Sequence, residues 1–249
     1  MLELKNISAG YGNHTVLEGV TADFAKGALT SVVGVNGCGK STLLKSALGI
    51  LPLSGGEIVI DGENIQSLGR TGIARRVAYL SQGKNTPDMT VSQLVLHGRF
   101  PHLSYPRRYG SADRKIAAEA MESLGIAHLA HKTLSSLSGG MRQTAYIAMA
   151  ICQDTDYILL DEPVTYLDIA HQLELMKLLR RLADAGKGIV TVMHDLTLAF
   201  NFSDEIAVID GGRITAKATP TEISELSVIE DIFGVRMEKA EDGRFCYRY

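Results

Sequence analysis

The chain has 249 residues, of which 45% are hydrophobic and 21% charged, and its formal net charge is -3. This composition is typical of a globular protein that buries a sizeable core, and it excludes a basic field of the kind that attracts nucleic acid. No apolar run reaches the roughly 18 residues that span a bilayer, and the first residues carry no apolar signal region, so we expect a cytosolic protein. The three cysteines have no metal-ligand spacing and are expected to be reduced thiols.

The first third of the chain predicts a small, largely antiparallel sheet. Short strand-like runs occur at residues 2–7, 20–24 and 57–60, and a Tyr11-Gly12-Asn13 turn separates the first two. The β-branched run 29–33 predicts a more deeply buried strand, because it is mostly apolar without alternation.

A glycine-rich loop at residues 34–42 follows this strand and precedes a predicted helix at 43–48. Glycines at positions 34 and 39 let the backbone turn its N–H groups around a phosphate, and the helix directs its positive end at that anion. Lys40 can reach the β and γ oxygens of a nucleotide, and the Ser41 hydroxyl can bind Mg²⁺. A chance match in a chain with 25 glycines is the alternative, but the flanking strand and helix favour a nucleotide site. The candidate contacts in the loop are Gly34, Val35, Asn36, Gly37, Cys38, Gly39, Lys40, Ser41 and Thr42.

The middle of the chain, from about residue 84 to 152, has a helical pattern, with a long helix predicted from Ser111 to Leu124. An alternation of strands and helices then returns. Its predicted elements are a strand at 157–160, a helix at 169–185, strands at 188–193 and 205–209, and a terminal hairpin at 235–249. The chain is thus expected to be one α/β domain, residues 1–249, in which a helical subdomain at about 84–152 is inserted into a nucleotide-binding core.

Polar side chains follow three of the predicted strands. Asp161 and Glu162 come directly after the apolar run 157–160, His194 follows the run 188–193, and Gln82 follows a short buried strand predicted at 77–80. Ligands bind at the carboxyl ends of buried parallel strands, so Asp161 is placed to hold Mg²⁺ and Glu162 to polarise the water that attacks the γ-phosphate. His194 could contact the γ-phosphate or position that water, and Gln82 could reach Mg²⁺ or water. Acidic residues that merely solvate a strand end are the alternative, and Asp195 is better interpreted as a helix N-cap.

A second glycine pair lies in the run Leu137-Ser138-Gly139-Gly140-Met141-Arg142-Gln143, which precedes an apolar helix reaching about residue 151. This arrangement is either a second helix start that can bind an anion or a helix cap with a flexible lead-in. The spacing alone leaves open whether it would serve the same phosphate as the loop at 34–42.

Together, in this order along the chain, these motifs resemble the ATP-binding subunit of an ABC transporter, with a P-loop NTPase (RecA-like) core, an antiparallel β subdomain and an inserted helical subdomain. The resemblance assigns Tyr11 to adenine stacking, residues 34–42 to the Walker A loop, Gln82 to the Q-loop and residues 137–143 to the signature. It makes Asp161 the Mg²⁺ ligand, Glu162 the catalytic base, Thr165-Tyr166-Leu167-Asp168 the D-loop and His194 the switch histidine. Val164 and Met141 depart from the usual pattern without altering a catalytic side chain.

The resemblance implies an ATPase that works as a head-to-tail pair, in which Ser138, Gly139 and Gly140 of one copy close on the nucleotide of the other. It also implies that the chain lies on the cytoplasmic face of the cell membrane, bound to a separate permease and acting, indirectly, with a substrate-binding protein. The runs His97-Gly98-Arg99-Phe100-Pro101-His102 and Tyr166-Leu167-Asp168-Ile169-Ala170-His171-Gln172 resemble those of importers for iron–siderophore, haem or cobalamin complexes. The alternatives are an importer of another substrate, a soluble ABC ATPase acting on ribosomes or in DNA repair, and a P-loop kinase. A kinase would leave the signature run unexplained.

Overall fold

The computed structural model describes residues 1–82 and 86–248. Its strands are β1 Leu2–Tyr11, β2 His14–Phe24, β3 Leu29–Val33, β4 Leu53–Ile60, β5 Glu63–Asn64, β6 Val77–Leu80, β7 Tyr157–Asp161, β8 Gly188–Val192, β9 Glu205–Asp210, β10 Arg213–Ala218, β11 Arg236–Lys239 and β12 Phe245–Arg248. Its α-helices are α1 Lys40–Ala47, α2 Ile65–Arg76, α3 Val91–His97, α4 Ser111–Ser123, α5 Gly139–Cys152, α6 Ile169–Asp184, α7 Leu196–Phe202, α8 Pro220–Glu225 and α9 Val228–Phe233.

Two sheets form the centre of the molecule. The larger has the strand order β10-β9-β3-β8-β7-β6, and all its neighbouring pairs are parallel except β10 with β9. The smaller is antiparallel, with the order β2-β1-β4-β5. In the larger sheet β3, β7 and β8 are buried along their whole length, which explains their continuous apolar sequence.

Helix α1 lies between the two sheets. Its side chains Leu43 and Leu44 are buried in one hydrophobic cluster with Leu2 and Ile7 of β1 and Val190 of β8. This packing fixes the direction of α1, and therefore the aim of the loop that precedes it. The opposite face of the larger sheet is covered by a second cluster, to which α3, α4, α5, α6 and α7 contribute.

The expected helical segment contains α3, α4 and α5, which pack on one another. Its expected start near residue 84 lies outside the described residues, as does Tyr249 at the end of the predicted terminal hairpin. The described part of that hairpin consists of β11 and β12, paired from Arg236 with Arg248 to Lys239 with Phe245. In the part of the chain that the structure covers, no helix combines the length and apolarity needed to traverse a lipid bilayer.

The predicted bounds of several strands differ from those in the structure, and one helix was not predicted. Strands β1 and β2 are longer than predicted because bulges between them break the regular alternation without ending the pairing. Strand β4 begins at Leu53, earlier than expected, through the glycines at 55 and 56. Helix α2 was not predicted, and its weakly apolar sequence and the non-helical Gly69 in its middle explain why.

Candidate nucleotide site

The loop at 34–42 connects β3 to α1, as the sequence predicts. Gly39 directly precedes α1 with φ at 112°, a conformation that favours glycine. Gly34 is required for another reason: a Cβ there would lie 2.2 Å from the carbonyl oxygen of Ile209. The loop is thus held against β9 while it turns into the helix. Lys40, the first residue of α1, is 6% exposed, and its Nζ donates to the carbonyls of Gly34 at 2.8 Å and Val35 at 2.9 Å.

Asp161 is the last residue of β7 and lies beside the start of α1. The Ser41 hydroxyl donates to Asp161 Oδ1 at 3.0 Å, and Asp161 is 2% exposed. The pKa of this carboxyl is raised above its usual value, chiefly by burial and also by the neighbouring Glu162 charge, although the bond from Ser41 acts in the opposite direction. Parallel strands β3 and β7 therefore bring the expected Mg²⁺ ligands Ser41 and Asp161 into direct contact.

Glu162 is held by side chains from two other strand ends. Gln82, after β6, donates from Nε2 to Glu162 Oε2 at 2.8 Å, and His194, after β8, donates from Nε2 to Oε1 at 2.6 Å. The Glu162 backbone has φ at 52°, an unusual conformation for a residue with a side chain. Such local strain is typical of residues whose side chain must point in one direction for function.

These side chains surround one cavity of about 540 Å³. Its lining residues are Val16, Asn36, Gly37, Gly39, Lys40, Ser41, Thr42, Gln82, Glu162 and His194. Tyr11, at the end of β1, is 50% exposed and is not among them. Its expected stacking on adenine stays a prediction.

The second glycine pair lies elsewhere. Ser138 caps α5, because its hydroxyl accepts from the backbone N–H of Met141 at 3.3 Å. Ser138, Gly139 and Gly140 line a separate cavity of about 580 Å³ together with residues 166–168, and none of the three lines the cavity around Lys40. We call Ser138, Gly139 and Gly140 the signature turn. A single chain therefore does not bring its signature turn to its own phosphate loop, residues 34–42.

Comparison with known proteins identifies the family. The family model of ABC transporters matches residues 17–165. The chain belongs to the ABC transporter family. It is 40% identical to the ferric enterobactin transport ATP-binding protein of Escherichia coli (strain K12), over 96% of this chain and 89% of that one. It is 38% identical to the iron(3+)-hydroxamate import ATP-binding protein of Bacillus subtilis (strain 168), over 98% of this chain and 91% of that one.

Solved structures agree with this assignment. A chain of an ABC transporter assigned to the metal-chelate type, in an inward-facing conformation, superposes with a TM-score of 0.82 at 28% identity, covering 100% of this chain and 97% of that one. A dimeric bacterial ABC transporter cassette superposes with a TM-score of 0.79 at 26% identity, covering 88% of this chain and 99% of that one. The expected P-loop NTPase fold is confirmed, and the protein is an ABC ATPase that binds ATP.

Two residues of this ABC ATPase lie at the site but were not singled out from the sequence. Val16 of β2 lines the cavity, and the Tyr79 hydroxyl lies 3.5 Å from Asp161 Oδ2. Thr165, which the resemblance placed in the D-loop, donates from its hydroxyl to Glu162 Oε2 at 3.4 Å. Tyr79 is the third of four residues in β6, and burial raises its pKa far above the usual 10. Tyr79 reaches Asp161 because β6 lies next to β7 in the sheet, and this strand order cannot be derived from the sequence alone.

The donor set suits Mg²⁺. Ser41, Asp161 and Gln82 offer oxygen atoms, and a magnesium ion bound with a nucleotide takes few protein ligands, because phosphate oxygens and water complete its shell. Within residues 1–82 and 86–248 there is no group of three or more His, Cys, Asp or Glu that could hold a metal by itself. The Ser41–Asp161 pair is therefore compatible with an ion that arrives with ATP.

Proposed function

We propose that this ABC ATPase binds ATP with Mg²⁺ at the loop 34–42 and hydrolyses it to power import of an iron–siderophore or related metal chelate through a separate membrane permease. The observation that carries the hydrolytic part is the convergence of Lys40, Gln82, Glu162 and His194 on one cavity. The import part is supported by relatives whose names specify ferric enterobactin transport and iron(3+)-hydroxamate import.

In the proposed reaction, the backbone N–H groups of the loop and the start of α1 bind the phosphates. Lys40 exchanges its bonds to Gly34 and Val35 for bonds to the β and γ oxygens. Glu162 accepts a proton from the attacking water, and the bonds from Gln82 and His194 orient its two oxygens for this role. Ser41, Asp161 and Gln82 would hold Mg²⁺, which would supply positive charge to neutralise the phosphates.

The separate position of the signature turn supports a head-to-tail pair. Ser138, Gly139 and Gly140 lie at an α5 N-terminus that faces a cavity other than the one beside Lys40. A second copy, rotated by a two-fold axis, could bring its own turn to that phosphate loop, and a solved relative is a dimeric cassette. A helix start capped by Ser138 and two glycines is suited to an anion such as the γ-phosphate.

The replacement Glu162→Gln tests the hydrolytic role. It keeps the side-chain volume but removes the base, so we expect ATP turnover to fall about 100- to 10,000-fold while ATP affinity changes little. Phosphate release measures turnover, and a nucleotide titration measures affinity. Glu119→Gln, which removes an exposed carboxylate on α4, is the matched control and should keep the normal rate. Turnover of the Glu162 variant at the unmodified rate would show that another group is the base.

The cargo is tested in cells that lack the gene for this chain. Uptake of ⁵⁵Fe bound to a catecholate, a hydroxamate or a carboxylate siderophore is measured after restoring either the unmodified chain or the Glu162→Gln variant. We expect uptake of at least one chelate to return only with the unmodified chain. Normal uptake of every chelate in the deleted cells would refute the proposed cargo without touching the proposed ATPase chemistry.

A further inference from the structure

The run His97-Gly98-Arg99-Phe100-Pro101-His102 has no part in the proposed hydrolysis. It spans the end of α3 and a short 3₁₀ turn at Phe100–His102. Within it Arg99 is 8% exposed, which is rare for a charged side chain and requires that its donors be satisfied by protein groups. Arg99 and His102 both contact carbonyl groups at the C-terminal end of α5.

Arg99 caps helix α5. Its Nη1 donates to the carbonyl of Cys152 at 3.2 Å and to that of Gln153 at 3.3 Å, while its Nε donates to Asp113 Oδ1 at 3.2 Å. The last carbonyls of a helix have no partner inside the helix and carry its negative dipole end, so a guanidinium stabilises them doubly. Asp113, in the first turn of α4, holds the guanidinium in place.

The neighbours of Arg99 fix the same helix end. A Cβ at Gly98 would lie 2.3 Å from the carbonyl oxygen of Met149, so only glycine permits this approach of the backbone to α5. His102 Nε2 lies 2.7 Å from the carbonyl oxygen of Gln153. Because a carbonyl only accepts, the hydrogen of this bond is on Nε2.

The same helix end is tied to the nucleotide-binding core. Gln153 Nε2 donates to the carbonyl of Ala74 in α2 at 2.6 Å and to that of Val77, the first residue of β6, at 3.1 Å. Arg75 Nε donates to the carbonyl of Pro101 at 2.8 Å, which joins α2 to the 3₁₀ turn. We call the set Arg75, Gly98, Arg99, His102 and Gln153 the α5 joint.

The two elements held by the α5 joint each lead to a group of the proposed site. Helix α5 begins at the turn of Ser138, Gly139 and Gly140, and its 14 residues make it about 21 Å long. Strand β6 ends at Leu80, two residues before Gln82. With that lever, a 5° tilt of α5 about its C-terminal end moves the signature turn by about 2 Å, enough to misplace a phosphate contact.

We propose that Arg99 and Gln153 are positioning residues, which set the signature turn at one end of α5 relative to Gln82 at the end of β6. This proposal rests on the proposed function, in which the signature turn of one copy contacts the nucleotide bound by the second copy. The joint acts without touching nucleotide: it fixes the angle at which the helical segment meets the core.

The variant Gln153→Met tests the joint most directly. Methionine keeps the length and the helix propensity of glutamine but loses both donors to Ala74 and Val77. We expect its turnover number to fall about five- to tenfold, because two hydrogen bonds that fix the angle are lost, while ATP affinity stays within about twofold. Gln66→Met, on the exposed face of α2, is the matched control. Thr219→Ala, which removes the cap of α8, controls for general destabilisation.

The distance between the two segments is measured independently of hydrolysis. Spin labels at Met141→Cys and Glu57→Cys, with the exposed Cys246 replaced by serine, report the position of the signature turn relative to the core. We expect the distance distribution to widen or shift by about 2–4 Å when Gln153→Met is added, as a tilt of 5–10° of α5 requires. Arg99→Lys keeps the charge but not the forked geometry, and it should show a larger change.

An unchanged distance distribution in Gln153→Met would overturn the proposal, as would an equal loss of turnover in Thr219→Ala. A parallel loss of ATP affinity and turnover would also overturn it, since the nucleotide cavity itself would then be disturbed. Failure of the proposed function would give a different result, namely no ATP hydrolysis by the unmodified protein. The spin-label comparison would still decide the role of the α5 joint in that case.

Discussion

Replacing Lys40 with methionine isolates the charge at the phosphate loop. Methionine has a similar length and an apolar stem, so the 6% exposed position stays filled while the ammonium is lost. In the structure this ammonium donates to two carbonyls, of Gly34 and Val35, and it must give these bonds up to reach phosphate.

The expected loss of ATP affinity follows from that exchange. Two ammonium–phosphate bonds, in which both partners are charged, contribute about 3 kcal/mol each, and the two surrendered ammonium–carbonyl bonds, in which one partner is charged, about 1.5–2 kcal/mol each. The net difference is about 2–3 kcal/mol, which corresponds to a Kd about 30- to 150-fold weaker. The unbound variant also leaves the two carbonyls without this donor, so we expect Tm to fall by about 2–4 °C for each kcal/mol of stability lost.

Isothermal titration with ATP and Mg²⁺ measures the affinity, and circular dichroism checks that the variant is folded. Lys45→Met is the matched control: it removes a positive charge from the same helix, at a residue that does not line the cavity. We expect its Kd to stay within about threefold of the unmodified value, because Lys45 lies outside the cavity and affects the site only through its charge, which lowers the pKa of Asp161. A Lys40 variant that binds ATP as tightly as its Lys45 counterpart would refute the assignment of Lys40 to the phosphates.

Other expectations concern the second copy, the thiols and acid stability. Ser138→Arg should prevent ATP-driven pairing, seen by light scattering, while ATP binding to the single chain stays within about twofold; normal pairing would contradict the trans arrangement. Burial raises the pKa of the Cys38 thiol, so iodoacetamide should modify Cys38 at least about tenfold more slowly than the exposed Cys246. Bound ATP should slow the modification of Cys38 further. Equal modification rates of the two thiols, measured by mass spectrometry, would contradict the burial of Cys38. Burial raises the pKa of Asp61, but hydrogen bonds from Lys26 and two other donors outweigh it and lower the pKa from 3.8 to about 2. The Asp61 carboxylate therefore stabilises the fold above about pH 4, and this stabilisation is lost as the pH falls toward 2. In urea titrations, the free energy of unfolding of Asp61→Asn should fall less steeply between pH 4 and pH 2 than that of the unmodified protein.

The sequence predicts best those parts of the fold in which one force dominates. Strands β3 and β6 have the predicted bounds, because their short apolar runs are enclosed by the second layer of the fold. Helix α2 escaped prediction because Ile65 is its only buried residue among those described, so no apolar stripe marks it. Its position depends instead on long-range bonds such as that from Gln153 to Ala74.

The same distinction applies to the candidate site. The sequence alone could predict that Asp161, Glu162 and His194 lie close together, because the carboxyl ends of parallel strands share one edge of the sheet. The bonds that orient Glu162 could not be predicted, since they depend on the order β8-β7-β6 in the sheet and on a positive φ at that residue. Val16 was missed because its strand belongs to the other sheet and reaches the cavity only through the packing of the two sheets.

The segment that follows β7 links the two cavities of one chain. It begins at Glu162, in the cavity of Lys40, and four residues later Tyr166 packs on the signature turn, where a Cβ on Gly140 would lie 2.9 Å from the Tyr166 carbonyl oxygen. Tyr166 has φ at 72°, so this turn is held in a sparsely populated conformation by its surroundings. Under the proposed pairing, Glu162 serves the nucleotide of its own chain and Gly140 that of the second copy. In such a pair, this short segment would therefore lie between the two nucleotide sites and contact the surroundings of both.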